Sequence, residues 1–225
     1  MRNSLVIFLL AGFMLSCQNE AQNKETATAG TGAEASLGSG DSTQTESAAA
    51  AAQDTAYQII PGQRIGQVTL GDSPEKAFAA LGPSDAGDAA MGKSISTWYS
   101  KENAAQKHQL NIYSVRERTG LPDETVRVHQ VRITSPQFTL AENHLKTGST
   151  LAQIRNHFPQ VTPIAYYTPQ GQQRAYVYDA AEQGIAFEIT GPDSVCVGIT
   201  IHVTGSGATE RYLPVHEGLV QLNQK

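Results

Sequence analysis

The stretch that most directly suggests chemistry is Gly87 to Ser94, GDAAMGKS, which matches the phosphate-loop pattern G-x-x-x-x-G-K-[ST] at every fixed position. In that motif a strand leads into a glycine-rich turn and a helix leaves it, so that backbone N–H groups and the helix N-terminus surround the phosphates. Here the preceding letters LGPSDA indicate a helix end and a loop, whereas the following SISTWYS indicates a strand. We therefore expect a turn without nucleotide binding, in which Gly87 and Gly92 bend the chain, Lys93 is solvated and Met91 packs.

Other residues that could do chemistry show no catalytic or metal-binding spacing. The six histidines include no H-x-x-x-H or H-x-H pair, so neither a metal site nor a cofactor is predicted. Ser194 lacks a nucleophile-elbow context, and Cys196 lies in the alternating run SVCVGITIHV, which is typical of a small buried residue. His202 and Glu188 could approach each other on neighbouring strands. An envelope hydrolase with an unrecognised active site therefore stays open as the alternative function.

The N-terminus predicts the cellular compartment. Arg2 precedes an apolar run from Leu5 to Leu15, which is too short for a stable membrane span and is typical of a signal-peptide core. The letters MLSC at the end of residues 1–17 resemble the lipobox of bacterial lipoproteins, although Met14 occupies the usual leucine position. The alternative is an ordinary secretory signal with an incidental cysteine. The resemblance implies lipid attachment at Cys17 and an outer-membrane lipoprotein that faces either the periplasm or the exterior.

Residues 18–55 are predicted to be a disordered linker. They contain no aromatic residue and almost no large aliphatic one, so they cannot bury enough apolar surface to offset their ordering entropy. One lysine against six acidic residues gives this segment a net charge of −5, equal to that of the whole chain. Because Arg2 adds one positive charge, residues 56–225 carry −1. Such a nearly neutral region has no basic field for nucleic acid.

The remaining residues are long enough for one domain or two small ones, and internal similarity favours two related parts. Val68–Pro83 aligns with Leu145–Gln160, and both stretches predict a short helix. Pro74 suits a first helical position, Gly82 ends that helix, and Thr150 with Gln153 has the spacing of a capping box. Alternating β-branched and aromatic residues predict strands after each helix. The stretches concerned are ISTWYS, HQLNIYS, VRVHQVRITS, IAYYT, QRAYVYD, GIAFEI and CVGITIHVT.

This organisation predicts an α+β fold with two helix-then-antiparallel-strand repeats, at 56–136 and 137–225, and helices on one face of the sheet. The glycine-Ser/Thr helix start, the following Gly or Pro, and the meander of strands resemble the tandem repeats of the β-lactamase-inhibitor-protein type. They are similar also to outer-membrane assembly lipoproteins of the SmpA/OmlA kind. The resemblance implies a non-enzymatic module that binds another protein of the cell envelope. The disulfides of the inhibitor proteins are absent, and no functional residue carries over.

Strand alternation also suggests where such a module would bind. The aliphatic residues of each strand should lie beneath the helices. The opposite face, which we expect to be open to a protein partner, would then collect two residue types enriched in protein interfaces, tyrosine and arginine, together with a glutamate and a histidine. This candidate binding face consists of Tyr113, Arg132, Tyr176, Tyr178, Glu188 and His202.

Overall fold

A computed structural model describes residues 55–101, 107–169, 172–209, 216 and 218–222. The predicted signal peptide, Cys17 and the predicted linker as far as residue 54 lie outside the described residues. None of the helices within the described ranges has the length and apolar character that crossing a bilayer requires.

Two short α-helices form where local sequence signals place them. Helix α1 spans Pro74–Leu81, with Ser73 as its N-cap, proline in its first turn and Gly82 as its C-cap. Helix α2 spans Leu151–His157, and its N-cap Thr150 forms the predicted reciprocal capping box with Gln153. The predicted starts of both helices and the end of the first at Gly82 are confirmed. A single 3-10 turn, Ala181–Gln183, lies between two later strands.

The larger of two sheets has nine antiparallel strands, in the spatial order β13-β9-β10-β11-β12-β7-β6-β5-β4. The seven stretches predicted to be strands are all in it. In chain order its strands are β4 (Ala86–Ala90), β5 (Lys93–Tyr99), β6 (Gln109–Glu117), β7 (Thr125–Ile133), β9 (Thr162–Tyr167), β10 (Ala175–Ala180), β11 (Ile185–Thr190), β12 (Val195–His202) and β13 (Val220–Gln221).

A second, smaller sheet closes the main core. It has the order β3-β2-β1-β8, with β1 (Gln58–Ile60), β2 (Arg64–Ile65), β3 (Val68–Thr69) and β8 (Thr139–Leu140). Its buried aliphatic residues share one hydrophobic cluster with both helices and with one face of the large sheet. Within that cluster the rings of Phe158 and Phe187 lie 5.3 Å apart between centroids. We call this side of the large sheet the helix face and its opposite side the second face.

The predicted α+β fold of two related helix-then-strand repeats is wrong. β-Sheet dominates the described residues, with 44% strand against 13% helix, in two sheets of four and nine strands. The helices contain only eight and seven residues, so strands dominate both the core and the chain. Strand β7 also pairs directly with β12, which joins segments from both predicted repeats into one sheet. The four strands of the small sheet are two or three residues long, too short to show alternation.

The phosphate-loop pattern lies in a β-hairpin. Strands β4 and β5 pair from Ala90 with Lys93 to Ala86 with Thr97, and Met91 and Gly92 form the two-residue turn with φ of 52° and 74°. Positive φ at both central residues is the type I′ geometry that suits the twist of a hairpin. The predicted turn is confirmed at Gly92, whereas Gly87 lies within β4, opposite Ser96, and does not bend the chain. Met91 does not pack, because it is 99% exposed. The absence of nucleotide binding stays a prediction, now supported by a strand where the motif requires a helix.

Candidate functional site

The six residues of the predicted binding face do not share one open surface. Tyr113, Arg132, Glu188 and His202 are buried on the second face, each at most 6% exposed. Tyr176 and Tyr178 are half-buried, and Tyr178 packs against the main core on the helix face. The expectation that all six lie together and exposed is therefore wrong. Whether any of them contacts a protein partner stays a prediction.

Strand register explains the position of the two tyrosines. In the antiparallel pair β10–β11, Tyr178 lies opposite Phe187 and Tyr176 lies opposite Ile189. Residues directly opposite each other project from the same side of a sheet, so both tyrosines join the helix face. Val177 lies opposite Glu188 instead and contributes to a smaller apolar cluster on the second face. Alternation within β10 alone allows two equally regular assignments of its faces, and the predicted assignment is wrong.

The C-terminal segment covers part of the second face. After β12 the chain places Ala208, which is 1% exposed, against this face. Its backbone N–H donates to Asp179 at 2.8 Å, and its carbonyl accepts from the Gln130 side-chain amide at 2.8 Å. Further along, the imidazole of His216 stacks on the ring of Tyr167, with centroids 3.5 Å apart and planes 3° from parallel. These contacts bury side chains that polarity alone would leave in water.

The centre of the second face is an ion pair between Arg132 and Glu188. The Arg132 Nε and Nη2 donate to the two carboxylate oxygens of Glu188 at 2.5 and 2.6 Å. This bidentate arrangement is the strong form of an arginine–carboxylate pair. The same carboxylate accepts from the Tyr167 hydroxyl at 2.8 Å and lies 3.3 Å from His216 Nε2. Arg132 Nη1 also donates to the Asn111 amide oxygen at 3.0 Å.

Burial and pairing shift the ionisation of this cluster. Burial alone would raise the pKa of Glu188, but the charge and hydrogen bonds of Arg132, with a further contribution from His216, hold that pKa well below its ordinary value. Burial also opposes the charge of Arg132, yet Glu188 raises the pKa of the guanidinium above normal. Burial and the neighbouring carboxylate raise the pKa of Tyr167. The pair is therefore charged, while Tyr167 is a neutral hydroxyl donor.

Gly198 makes this pair possible. It lies opposite Glu188 in the β11–β12 ladder, between that residue and Arg132 on β7. A Cβ atom at this position would lie 2.6 Å from Glu188 Oε2 and 3.2 Å from Arg132 Nη2. The two side chains thus meet in the space that a larger residue would fill. An isolated glycine within a strand pattern is the sequence signal for such a close approach.

His202 belongs to a separate buried pair. Its Nε2 lies 3.0 Å from Asp179 Oδ1, and its Nδ1 lies 3.0 Å from the carbonyl oxygen of Val203. Both ring nitrogens therefore face oxygen atoms of the protein and not a nucleophilic side chain. The same Asp179 holds the backbone of Ala208, which indicates a structural role in fixing the C-terminal segment. The structure does not join His202 to Glu188.

The only cysteine in the described residues is also structural. Cys196 is buried, as predicted, and burial raises the pKa of its thiol to about 12. A thiol with so high a pKa is not an effective nucleophile near neutral pH. Across the described ranges, no group of three or more His, Cys, Asp or Glu side chains could hold a metal ion.

A cavity of about 600 Å³ opens beside the Arg132–Glu188 pair. Arg132, Tyr167 and Cys196 form its buried part, and Lys107 and Gln172 form part of its exposed rim. The described residues that line it include two cationic side chains and two histidines, but no aspartate or glutamate. Its lining residues are Lys107, His108, Gln109, Arg132, Thr134, Pro136, Thr147, Gly148, Tyr167, Pro169, Gln172, Gln173, Ala175, Thr190, Cys196, Val197 and His216.

The accessible tyrosines form a different feature on the helix face, at strands β9 and β10. We define the tyrosine–arginine surface as Tyr166, Tyr176, Tyr178, Arg155 and Arg174. The rings of Tyr166 and Tyr176 lie 5.9 Å apart between centroids. The Arg174 guanidinium lies 4.2 Å from the Tyr166 ring centroid, and that of Arg155 lies 5.6 Å from the Tyr178 centroid. Both distances are within the range of cation–π interactions.

A shallow groove of about 450 Å³ runs along this surface. Tyr176 and Tyr178 form one part of it, and the turn at residues 191–194 forms another. Asp193 in that turn is exposed. Of the two arginines only Arg174 lines the groove, which therefore combines two tyrosine rings with one guanidinium.

Comparison with known proteins identifies no relative of this chain. No protein-family model, no curated protein and no solved structure matches this chain.

Proposed function

We propose that this protein is a non-enzymatic binding module of the cell envelope and that its tyrosine–arginine surface contacts an acidic segment of a partner protein. The observation that carries the proposal is the clustering of three half-buried tyrosines with two exposed arginines, on a sheet face that helix α2 leaves partly uncovered. Tyrosine and arginine are the residues most often found as energetic anchors of protein interfaces. The predicted binding face is therefore revised, and only Tyr176 and Tyr178 remain from it.

The geometry favours a partner with carboxylates. Each arginine is held over a tyrosine ring, which limits the rotamers that binding would otherwise have to restrict. Arg174 also donates to the Tyr176 hydroxyl at 3.4 Å. Preordered guanidinium groups can form paired hydrogen bonds with carboxylates. An acidic, extended segment that lies in the groove would meet both the rings and the charges.

We further propose that Cys17 carries a lipid and that the linker lets the folded region reach partners away from the outer-membrane surface. The support is the signal-like N-terminus, the lipobox-like MLSC and the polar composition of residues 18–55. A Cys17→Ser variant should appear in the soluble fraction or persist as uncleaved precursor. Unchanged membrane fractionation with unchanged lipid labelling would contradict the anchor without affecting the binding surface.

The binding surface is tested by quantitative capture from native envelopes. The double variant Tyr176→Ala/Tyr178→Ala should capture at least about tenfold less partner than the wild type, since each interface anchor contributes about 2 kcal/mol or more to the binding free energy. Met91→Ala is the matched control, because Met91 is also exposed and lies in the β4–β5 turn. Equal capture by the double variant and the wild type would contradict the proposal, as would equal losses in the double variant and the control.

Salt dependence tests the acidic character of the partner. Arg174→Gln keeps a polar, though shorter, side chain and removes the charge that lies over Tyr166. Capture by the wild type should weaken as ionic strength rises, because exposed charges are screened within about 10 Å at 0.1 M salt. The Arg174→Gln variant should show weaker capture and a smaller salt effect. If neither higher ionic strength nor Arg174→Gln changed the capture of the partner, recognition through acidic residues would be contradicted.

A further inference from the structure

The two edges of the large sheet are protected in different ways. Edge strands carry backbone N–H and C=O groups that can pair with another chain, and a charged residue or a covering segment commonly prevents this. At one edge, Ala90 and Lys93 flank the two-residue turn, so the N–H of Ala89 on β4 points away from β5. The carboxylate of Asp88 accepts from this N–H at 2.8 Å. At the other edge, β9 is covered by β13, which contains two residues.

Strand β13 is held on β9 by few contacts. Its two residues pair with Tyr166 and Ala165, and just beyond it the Leu222 N–H donates to the Ile164 carbonyl at 2.8 Å. Both residues of β13 are exposed, and Leu219 before it is partly buried against the smaller apolar cluster of the second face. A segment with so few paired positions and so little buried apolar surface belongs to the parts of a fold that open most readily.

Strand β13 also borders the tyrosine–arginine surface. Val220 lies directly opposite Tyr166, so both side chains project from the helix face. The guanidinium of Arg174 lies 4.2 Å from the Tyr166 ring centroid, and Arg174 also lines the shallow groove. Val220 is 43% exposed at this position and brings no charge to it. A carboxylate at the same position of an added strand would lie beside the ring that carries the guanidinium.

We propose that the acidic segment of the partner binds as an added strand on β9, in the position that β13 occupies in the free protein. The inference rests on the proposed function, because the segment is the one that contacts the tyrosine–arginine surface. Its backbone pairs with β9 and supplies affinity, while its side chains beside Tyr166 and Arg174 supply selectivity for acidic residues. The adjoining residues of the segment enter the groove. Strand β13 is thus an internal competitor that leaves β9 when the partner binds.

A disulfide between β13 and β9 tests this displacement in the purified full chain. Gln221 lies directly opposite Ala165. Because the next pair along is joined by the bond from Leu222 to Ile164, Gln221 and Ala165 form a non-hydrogen-bonded pair, in which Cα atoms approach to about 4.5 Å. Disulfides accept Cα separations of about 4.4 to 6.8 Å, so the variant Ala165→Cys/Gln221→Cys should form one on oxidation.

The probe is a fluorescein-labelled peptide with the sequence of residues 218–225 and the change Val220→Glu, and fluorescence anisotropy measures its binding. The same peptide with Val220→Gln is the uncharged comparison. The reduced cysteine variant should bind the glutamate peptide saturably and about two- to fivefold more tightly than the glutamine peptide, as an exposed ion pair allows. Arg174→Gln should abolish this preference. Oxidation should weaken binding at least about tenfold, because β13 can then no longer leave β9.

The matched control is Ala89→Cys/Ser94→Cys, which joins opposed residues of β4 and β5 at the other edge. It should bind the peptide equally when oxidised and when reduced. No saturable binding, no preference for the glutamate peptide, equal affinity of the oxidised and reduced β13 variant, or an equal loss in the control would each overturn the proposal.

The failure of this proposal is distinguishable from that of the proposed function. If Tyr176→Ala/Tyr178→Ala reduces capture of the partner but oxidation of Ala165→Cys/Gln221→Cys does not, the added strand is contradicted and the binding surface stands. If the tyrosine variant captures as much partner as the wild type, the proposed function itself is contradicted.

Discussion

The two faces of the large sheet are both buried at their centres, but one consists of apolar side chains and the other of charged and polar ones. The helix face is lined by Ile, Val, Leu and Phe side chains and is closed by two helices and a small sheet. The second face holds Arg132, Glu188, Asp179 and His202 and is covered in part by the C-terminal segment. The first face gains stability wherever apolar surface leaves water, whereas the second is stable only while each polar group keeps its partner.

The comparison shows that polarity does not predict exposure in this protein. Arg132 and Glu188 would each be expensive to bury alone, yet together they satisfy most of each other's hydrogen-bonding capacity. Buried ion pairs are sensitive to removal of one partner and tolerant of removal of both. On the helix face, removal of one residue should not leave a buried charge without a partner, and removal of a second should not restore stability, since the contacts there are apolar and less specific.

The largest expected effect comes from breaking the ion pair on one side. Arg132→Met leaves Glu188 buried without its partner and should lower the free energy of unfolding by about 3 to 5 kcal/mol. Urea denaturation followed by circular dichroism measures the loss. The reverse single variant, Glu188→Leu, should cost a similar amount.

The double variant Arg132→Met/Glu188→Leu is the control for that prediction. It removes both charges and replaces them with apolar groups of similar volume, so it should be more stable than either single variant. If the two single losses simply added in the double variant, the pair would be no more than two independent contacts. The distinction drawn between the two faces would then be wrong.

A fall in pH should reduce the contribution of the second face to folding stability before it reduces that of the helix face. The pKa of Glu188 is lowered in the folded state, so its contribution to stability is complete above its unfolded pKa of about 4.3 and falls as pH drops toward the folded value. The unfolding free energy of the wild type should therefore decrease more steeply between pH 5 and pH 2 than that of the double variant. Parallel pH profiles for the two proteins would contradict the assignment.

A smaller effect is expected from closing the space between the charges. Gly198→Ala places a methyl group within 2.6 Å of Glu188 Oε2 unless the pair shifts, and overpacking of this kind typically costs about 1 to 3 kcal/mol. The same substitution in the Arg132→Met/Glu188→Leu background separates the clash with the ion pair from the preference of the strand for glycine. A cost that is the same in both backgrounds would show that Gly198 does not serve the pair.

The smallest of these effects belongs to the helix face. Thr150→Ala removes the hydroxyl that accepts from the Gln153 backbone N–H at 3.3 Å, and loss of an N-cap typically costs about 1 kcal/mol. Thr150→Ser keeps the hydroxyl and should restore most of the stability. Thermal unfolding of the three proteins measures the difference, and equal melting temperatures for the alanine and serine variants would exclude the capping role.

Local sequence signals were sufficient for the helices and the long strands, because Pro74, Gly82 and the Thr150–Gln153 pair act within one helical turn. They were insufficient for the fold class, since the small sheet pairs residues of β1 and β8 that are 81 positions apart in the chain, with only two paired positions. They were insufficient also for the binding face. Pairing between β10 and β11 decides to which face Tyr176 points. The segment beyond His202 has no periodic pattern from which its packing on the second face could be predicted.

The central claim, that the tyrosine–arginine surface contacts an envelope protein, is tested most directly by photocrosslinking in intact cells. A photoreactive phenylalanine analogue is placed at position 176 in one strain and at position 91 in another. The account predicts a discrete crosslinked adduct from position 176, diminished by Arg174→Gln, and none of comparable yield from position 91. No adduct at 176, or equal adducts at both positions, would contradict it.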